Sequence, residues 1–202
     1  MNARLIKGVA VALSAIVVVA CSSKDTEGTG GGGSGAGSSS SSSSSSGGTS
    51  SNDPFAAARV ACVDKINTLR ATKGLPALAR WTEAEACVDQ QAEEDALSGQ
   101  AHGAWSSGKY TCNGHGQNEC PGWGAEGIES CLDSMWAEKD QAGCAGCDAC
   151  ADAYNPSCPG CDFYGSSTGM VCGHYINMSA KYHTRVACGF STTGGWDAIN
   201  FE

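Results

Sequence analysis

The stretch from Gly173 to Phe190 reads Gly-His-Tyr-Ile-Asn-Met-Ser-Ala-Lys-Tyr-His-Thr-Arg-Val-Ala-Cys-Gly-Phe. Side chains alternate in character over residues 174–179, and they alternate again over residues 186–190 after a polar turn. Because successive side chains of a strand point to opposite faces of a sheet, this alternation predicts two strands. A third short strand is predicted at residues 196–201, after the turn-forming pair Gly194-Gly195.

Helical patterns come before these strands. The first runs from the capping segment Asn52-Asp53-Pro54, with its proline in the first turn, to the stop Lys73-Gly74. The second begins at Thr82, with Glu85 completing a capping box, and ends at Ser98-Gly99. Both segments therefore carry start and stop signals that are typical of helices.

A third helix is predicted after Gly124, where apolar side chains recur at helical spacing. This stripe consists of Ile128, Cys131, Leu132, Met135 and Trp136. Between Gly99 and Trp123 the chain is rich in glycine, and no regular element is predicted there. Helices that come first and strands that come last indicate an α+β domain.

The cysteines compensate for a small apolar core. Leu, Ile, Val and Phe make up about an eighth of residues 52–202, below the roughly one fifth at which folding by core burial alone becomes doubtful. Of the 13 cysteines, all but Cys21 fall in this region. An even number of cysteines in an exported chain predicts a set of disulfides, each of which contributes about 2–4 kcal/mol.

Six of these cysteines fall in a Cys-rich insertion at about residues 141–172, with Cys172 as its last residue. The spacing Cys144-x2-Cys147-x2-Cys150, followed by Cys158-x2-Cys161, is compatible with zinc or iron–sulfur ligation as well as with disulfides. Export and the even count favour a disulfide-linked insertion over a metal or redox module. Since the insertion precedes His174 directly, we expect it to form one wall of any site built around that residue.

The N-terminal region carries an export signal and a tether. Residues 1–21 combine basic residues, an apolar run and the sequence Val18-Val19-Ala20-Cys21, which is typical of a bacterial lipoprotein signal with lipid attached at Cys21. An ordinary secretory signal cleaved near Ala20 is the alternative. Residues 22–53 are rich in Gly and Ser and predict a disordered linker to a domain at residues 54–202. We therefore expect a lipid-anchored protein of the bacterial cell envelope, at the outer membrane or cell surface.

The charge of the chain restricts its partners. The formal net charge is −9, and no basic patch is evident. Nucleic acid is therefore excluded as a partner on electrostatic grounds, because its binding requires a concentration of Lys and Arg. Contact with a membrane is expected only through the lipid on Cys21.

Several local patterns, taken together and in order, resemble the CAP (SCP) superfamily of cysteine-rich secretory proteins, antigen 5 and pathogenesis-related class 1 proteins. They are Ile66–Arg70 followed by Gly74-Leu75-Pro76 and Leu78–Trp81, His102 after an acidic helix, Gly116-Gln117-Asn118, Met135–Glu138, Gly173-His174-Tyr175 with Cys188-Gly189, and Trp196–Phe201. The resemblance covers residues 58–202 and implies a disulfide-rich CAP-type α-β-α sandwich with a central cleft.

The same resemblance implies that the cleft is lined by His102, Gln117, Glu138 and His174. Gln117 departs from the family pattern, which has glutamate at that position. Two convergent imidazoles are able to bind a divalent ion such as zinc, so His102 and His174 are the candidate metal ligands. Glu119 is a possible substitute for the missing carboxylate, although we expect it to point away from the cleft.

Three hypotheses for function follow. The leading one is a non-enzymatic binding module that holds a small apolar ligand or a protein partner at the cleft, because glutamine cannot exchange a proton at neutral pH. The alternative is a metal-dependent hydrolase in which His102 and His174 are ligands and Glu138 is the base. His115 is a further histidine near the cleft, which we expect to be a solvated loop residue. The third hypothesis is the metal or redox module of the cysteine cluster.

Overall fold

The computed structural model describes residues 52–152, 158–165 and 172–202. The predicted signal sequence, the lipidation site Cys21 and all but the last two residues of the predicted linker lie outside these ranges. Within them, no helix combines the length and the apolar character that a membrane crossing requires. Asp53, placed by prediction at the end of the linker, accepts hydrogen bonds from Arg59 and from the Phe55 N–H, which ties it to the folded domain.

The described ranges form five α-helices and four strands. The helices are α1 (Ala56–Ala71), α2 (Thr82–Ser98), α3 (Gly103–Ser106), α4 (Gly124–Trp136) and α5 (Gly173–Ser179). The strands are β1 (Ala79–Arg80), β2 (Gly116–Cys120), β3 (Arg185–Phe190) and β4 (Asp197–Phe201). Short 3₁₀ helices follow α4 at Ala137–Asp140, Ala142–Cys144 and Cys147–Cys150.

The strands form one sheet in the order β1-β3-β4-β2, with helices on both faces. Strand β1 is parallel to β3, whereas β4 runs antiparallel to both β3 and β2. Val186 and Cys188 of β3 face a core that includes buried residues of α1, α4 and α5, and Ala187 faces α2. The predicted α+β, disulfide-rich CAP-type sandwich is confirmed.

Helix α2 packs closely on the sheet because β3 carries a glycine at the point of contact. A Cβ atom on Gly189 would lie 2.4 Å from the backbone carbonyl carbon of Val88. The residues that meet there from the sheet are small as well, since Ala187 and Ala198 are fully buried against α2. This close approach brings the polar side chains of α2 near those of β4 and β2.

The prediction of a strand at residues 174–179 is wrong, because this segment forms helix α5. Six of its seven residues are buried, and only His174 is partly exposed. A short helix that is buried on nearly every side shows no 3.6-residue periodicity, so its pattern cannot be distinguished from that of a strand. The strands at residues 186–190 and 196–201 are confirmed to within one residue as β3 and β4.

The helix predictions hold better than the capping predictions. Helix α4 and its buried stripe are confirmed, and α2 has the predicted bounds. However, Thr82 is already helical and Glu85 binds Arg80, with Arg80 Nε 2.5 Å from Glu85 Oε1, so the capping box is absent. Helix α1 begins at Ala56, two residues beyond Pro54.

Strand β2 lies in the region where no regular element was predicted. Its sequence, Gly-Gln-Asn-Glu-Cys, contains few residues with high strand propensity. Pairing with β4 determines its conformation, with Gln117 opposite Asn200 and Glu119 opposite Ala198. Since side chains two residues apart share a face, Gln117 and Glu119 point to the same side of the sheet.

All twelve cysteines of the domain form disulfides, as the even count predicted. Three bonds connect the main elements: Cys62–Cys188 joins α1 to β3, Cys87–Cys112 joins α2 to the loop between α3 and β2, and Cys120–Cys131 joins β2 to α4. Three more cross-link the insertion: Cys144–Cys172, Cys147–Cys161 and Cys150–Cys158.

The insertion is therefore cross-linked by disulfides, and its cysteines are not present as metal-binding thiolates. The sulfur atoms of Cys144, Cys147 and Cys172 lie within 4.8 Å of one another, a spacing that would suit a metal ion if they were thiolates. Each sulfur is already bonded to another cysteine, and a disulfide sulfur is not the thiolate that binds metals. The CxxC spacing thus reflects cross-linking.

Candidate binding cleft

A cavity of about 680 Å³ opens beside the edge strand β2. Helix α3 and the residue before it lie on one side, and the start of α5 lies on the other. The insertion contributes Phe163 and Tyr164 to the wall, as expected from its position before His174. The side chains that matter for the chemistry of the cavity are His102, Trp105, His115, Gln117, Glu119 and His174.

Three of the four predicted site residues line this cavity, and the fourth lies behind it. His102, Gln117 and His174 are in the wall, whereas Glu138 is buried and contacts the cavity through His174. His115 also lines the cavity, although its side chain is 64% exposed, as expected for a solvated loop residue. The structure pairs His102 with Gln117 and His174 with Glu138.

His174 is held by the carboxylate of Glu138. The ring Nδ1 lies 2.6 Å from Glu138 Oε1, and the Tyr175 N–H donates to Glu138 Oε2 at 3.0 Å. A carboxylate accepts hydrogen bonds, so Nδ1 carries the proton and Nε2 remains for a ligand. This arrangement matches the way that metal-binding histidines are oriented by a carboxylate behind them.

His102 occupies a left-handed backbone conformation, with φ of 59°, directly before α3. It is the one non-glycine residue with positive φ among the residues that the structure describes. Its Nδ1 lies 2.9 Å from Gln117 Oε1. The Gln117 side chain is buried, and its Nε2 donates to Asn200 Oδ1 at 3.0 Å on the side away from His102.

Glu119 corrects the expectation that it would point away from the cleft. Glu119 is part of the lining of the cavity although its side chain is only 1% exposed, and its Oε1 lies 3.9 Å from His102 Nδ1. Its Oε2 accepts a hydrogen bond from Trp196 Nε1 at 2.9 Å. Burial, followed by the neighbouring carboxyl group of Asp95, raises the pKa of Glu119 to about 8.

Asp95 is the second carboxyl group behind His102. It is fully buried in α2, and its Oδ1 accepts a hydrogen bond from the Ala104 N–H at 2.7 Å, at the start of α3. Oδ2 of Asp95 and Oε1 of Glu119 have no hydrogen-bond partner among the described residues. Two adjacent buried carboxyl groups cannot both be ionised at low cost, so the pair retains a proton near neutral pH.

One sequence signal pointed to Glu119, and none pointed to Asp95. If residues 116–120 had been recognised as a strand, the two-residue spacing would have placed Glu119 beside Gln117. Asp95 lies among other acidic residues of α2, and only the packing of α3 on α2 distinguishes it.

The raised pKa of Glu119 makes a prediction about stability. Since the folded state holds the proton more tightly than the unfolded chain, the stabilisation is present below the ordinary pKa of 4.5 and is lost as pH rises through about 8. The free energy of unfolding should therefore fall as pH rises toward 8, and we expect this fall to be smaller by more than 1 kcal/mol in Glu119→Gln than in the wild type. Denaturant unfolding at intervals from pH 4.5 to 9 measures the free energy of unfolding at each pH.

Glu129→Gln removes an exposed carboxyl group of α4 and serves as the control. It should reproduce the wild-type dependence of stability on pH. A Glu119→Gln profile that follows that of the wild type across the same range would show that Glu119 is ionised in the folded protein.

Comparison with known proteins agrees with the fold. The family model of the cysteine-rich secretory protein family (CAP) matches residues 63–201, which include all four predicted cleft residues. No individual curated protein matches the sequence. The match extends over more than half of the chain and includes β1–β4. The chain therefore belongs to the cysteine-rich secretory protein (CAP) family.

Proposed function

We propose that this CAP domain is an extracellular binding module that holds a small ligand with apolar surface in the cavity beside β2. The observation that carries the proposal is the wall of the cavity, in which Trp105, Phe163 and Tyr164 surround the same space as His102 and His174. Small-molecule sites typically combine aromatic walls with a few polar groups, in volumes of about 300–1,000 Å³. A protein partner is the second candidate, because Tyr164 at the rim is 74% exposed.

Two features favour binding over catalysis. Gln117 stands where the family resemblance implies a carboxylate, and an amide cannot exchange a proton at neutral pH. Both oxygens of Glu138 are engaged, one by His174 and one by the Tyr175 N–H. Among the described residues no serine hydroxyl is hydrogen-bonded to a histidine of the cavity, so a nucleophile of the serine–histidine type is not formed there.

Substitution of Trp105 tests the proposed binding role. Calorimetry of the wild type against a panel of fatty acids and sterols should identify a ligand, and Trp105→Ala should weaken its binding at least tenfold, about 1.4 kcal/mol. Trp123→Ala is the matched control, because Trp123 is an exposed tryptophan outside the cavity wall. Equal losses in the two variants, or no loss in either, would exclude the cavity as the site of binding.

The alternative function is that of a metal-dependent hydrolase at the same cleft. His102 and His174 both line the cavity, and each ring is held through Nδ1 and retains Nε2 for a divalent ion. Within the described ranges no third His, Cys, Asp or Glu completes a close ligand group at the cleft. A bound ion would supply an activated water. Glu138 would orient His174 rather than act as the base, because its oxygens are already engaged.

Titration with Zn²⁺ by calorimetry tests this alternative. If the two histidines are ligands, His102→Ala and His174→Ala should each abolish the binding seen for the wild type. His115→Ala is the control, because its ring lines the cavity without the fixed Nδ1 contact of the other two. Wild-type protein that binds no Zn²⁺ and hydrolyses no peptide or ester in its presence would rule out the hydrolase.

We also propose that the domain is displayed on a bacterial cell envelope through lipid on Cys21. The proposal is supported by the apolar run that ends in Val18-Val19-Ala20-Cys21 and by the Gly/Ser-rich residues 22–53, which suit a flexible tether. The lipid would provide the contact with the membrane, since the acidic domain has little attraction for anionic headgroups.

Labelling with a radioactive fatty acid tests the anchor. In a bacterial host, the wild type should incorporate the label and sediment with membranes, whereas Cys21→Ser should incorporate none and be recovered in the soluble fraction. Ser22→Ala, which retains the cysteine, should behave as the wild type. A wild-type protein that is exported without label would indicate the ordinary secretory signal.

A further inference from the structure

A chain of four side-chain amides runs from the backbone to His102. Asn113 Nδ2 donates to the Trp105 carbonyl at 2.9 Å, and Gln91 Nε2 donates to Asn113 Oδ1 at 2.6 Å. Asn200 Nδ2 donates to Gln91 Oε1 at 2.7 Å. Gln117 Nε2 then donates to Asn200 Oδ1 at 3.0 Å and, more weakly, to Gln91 Oε1 at 3.3 Å.

Two backbone carbonyls determine the direction of every bond in this chain. A carbonyl oxygen can only accept a hydrogen bond, so the contact with Trp105 O orients the amide of Asn113 and, through it, that of Gln91. Independently, Asn200 Nδ2 donates to the Cys112 carbonyl at 2.6 Å. Both anchors require the same orientation of Asn200 and Gln117, with the Gln117 NH₂ group directed toward the interior.

The orientation of Gln117 leaves its Oε1 facing His102. An amide oxygen is an acceptor, so the Nδ1 that lies 2.9 Å away must donate. A neutral imidazole has one N–H and one lone pair, and the hydrogen bond made by one ring nitrogen decides the state of the other. The lone pair of His102 is therefore on Nε2.

We infer that Gln91, Asn113 and Asn200 are positioning residues that, through Gln117, hold His102 in the tautomer with its proton on Nδ1 and its basic nitrogen available to the cavity. Three of the four amides, those of Gln91, Gln117 and Asn200, are buried. Reversal of any one would place two donors or two acceptors against each other in the interior, which costs about 1–3 kcal/mol for each unsatisfied group.

This arrangement specifies the chemistry of the ligand, a consequence that rests on the binding role proposed above. Glu138 holds His174 in the same tautomer, so both rings offer an electron pair at Nε2. The end of the ligand that contacts them must therefore supply a hydrogen-bond donor or a cation, and an anionic or acceptor-only group would meet two lone pairs. The apolar remainder would contact Trp105 and Tyr164.

Nitrogen NMR of the ligand-free full chain, labelled with ¹⁵N-histidine, tests the tautomer without depending on any ligand. With the imidazole neutral, the wild type should show a protonated, pyrrole-type Nδ1 and a pyridine-type Nε2 for His102. Gln117→Met and Asn200→Leu should each replace this single pattern with a mixture of the two tautomers. Asn67→Ala removes a part-buried amide of α1 that is outside both the amide chain and the cavity, and it should retain the wild-type pattern.

A wild-type His102 with its proton on Nε2 would overturn the inference, as would a folded Asn200→Leu variant that keeps the wild-type pattern. If Asn200→Leu does not fold, the wild-type spectrum and Gln117→Met decide the result. Because ligand is absent from these spectra, failure of the tautomer assignment is distinguishable from failure of the binding role, which the Trp105→Ala titration addresses.

Discussion

The cleft depends on the hydrogen bonds that tie α5 to the edge strand β2. Asn177 Nδ2 donates to the Gln117 carbonyl at 3.1 Å and to Asn118 Oδ1 at 2.9 Å, and Asn118 Nδ2 donates to the His174 carbonyl at 3.1 Å. A Cβ atom on Gly116 would lie 2.7 Å from Asn177 Oδ1, so the strand must carry glycine there. These contacts hold His174 next to the strand that carries Gln117, the partner of His102. Without these hydrogen bonds α5 would not be held against β2, and the two histidines would not line one cavity.

Disulfides supply the rigidity that a small apolar core cannot. Cys144–Cys172 closes the insertion at the residue before α5, and the Gly173 N–H donates to the Phe163 carbonyl at 3.1 Å. The insertion is bonded to the rest of the domain as well, because Asp148 accepts hydrogen bonds from Lys73, in the turn after α1, and from the Tyr175 hydroxyl. The aromatic wall of the cavity is therefore fixed by covalent bonds and by polar contacts, which reduces the entropy that a ligand would otherwise have to offset in ordering it.

The sequence predicted those elements whose residue pattern arises from contacts between residues close together in the chain, and those residues that belong to a family motif. The stripe of α4 was recognisable because one face is buried and the other is solvated, and the cleft histidines were recognisable from the family resemblance. Helix α5 was assigned as a strand because it is buried nearly all round. The role of Glu119 depends on β2, a strand whose conformation is imposed by β4. The amide chain is less predictable still, since Gln91 and Asn200 are separated by more than a hundred residues and meet only because Gly189 lets α2 approach the sheet.

The glutamine at position 117 is therefore not an isolated loss of a carboxylate. Its NH₂ group faces two carbonyl-type oxygens, those of Gln91 and Asn200, whose own orientations are fixed by backbone carbonyls. A carboxylate at this position would direct an oxygen at both of them, and an unpaired charge that faces acceptors in the buried interior is costly. Three other side chains are thus arranged for an amide at position 117. His102 is thus hydrogen-bonded to an uncharged amide, whereas His174 is hydrogen-bonded to a carboxylate. A ligand that bridges the two sides would meet one Nε2 lone pair on each ring. One of these rings is bonded to an amide and the other to a carboxylate.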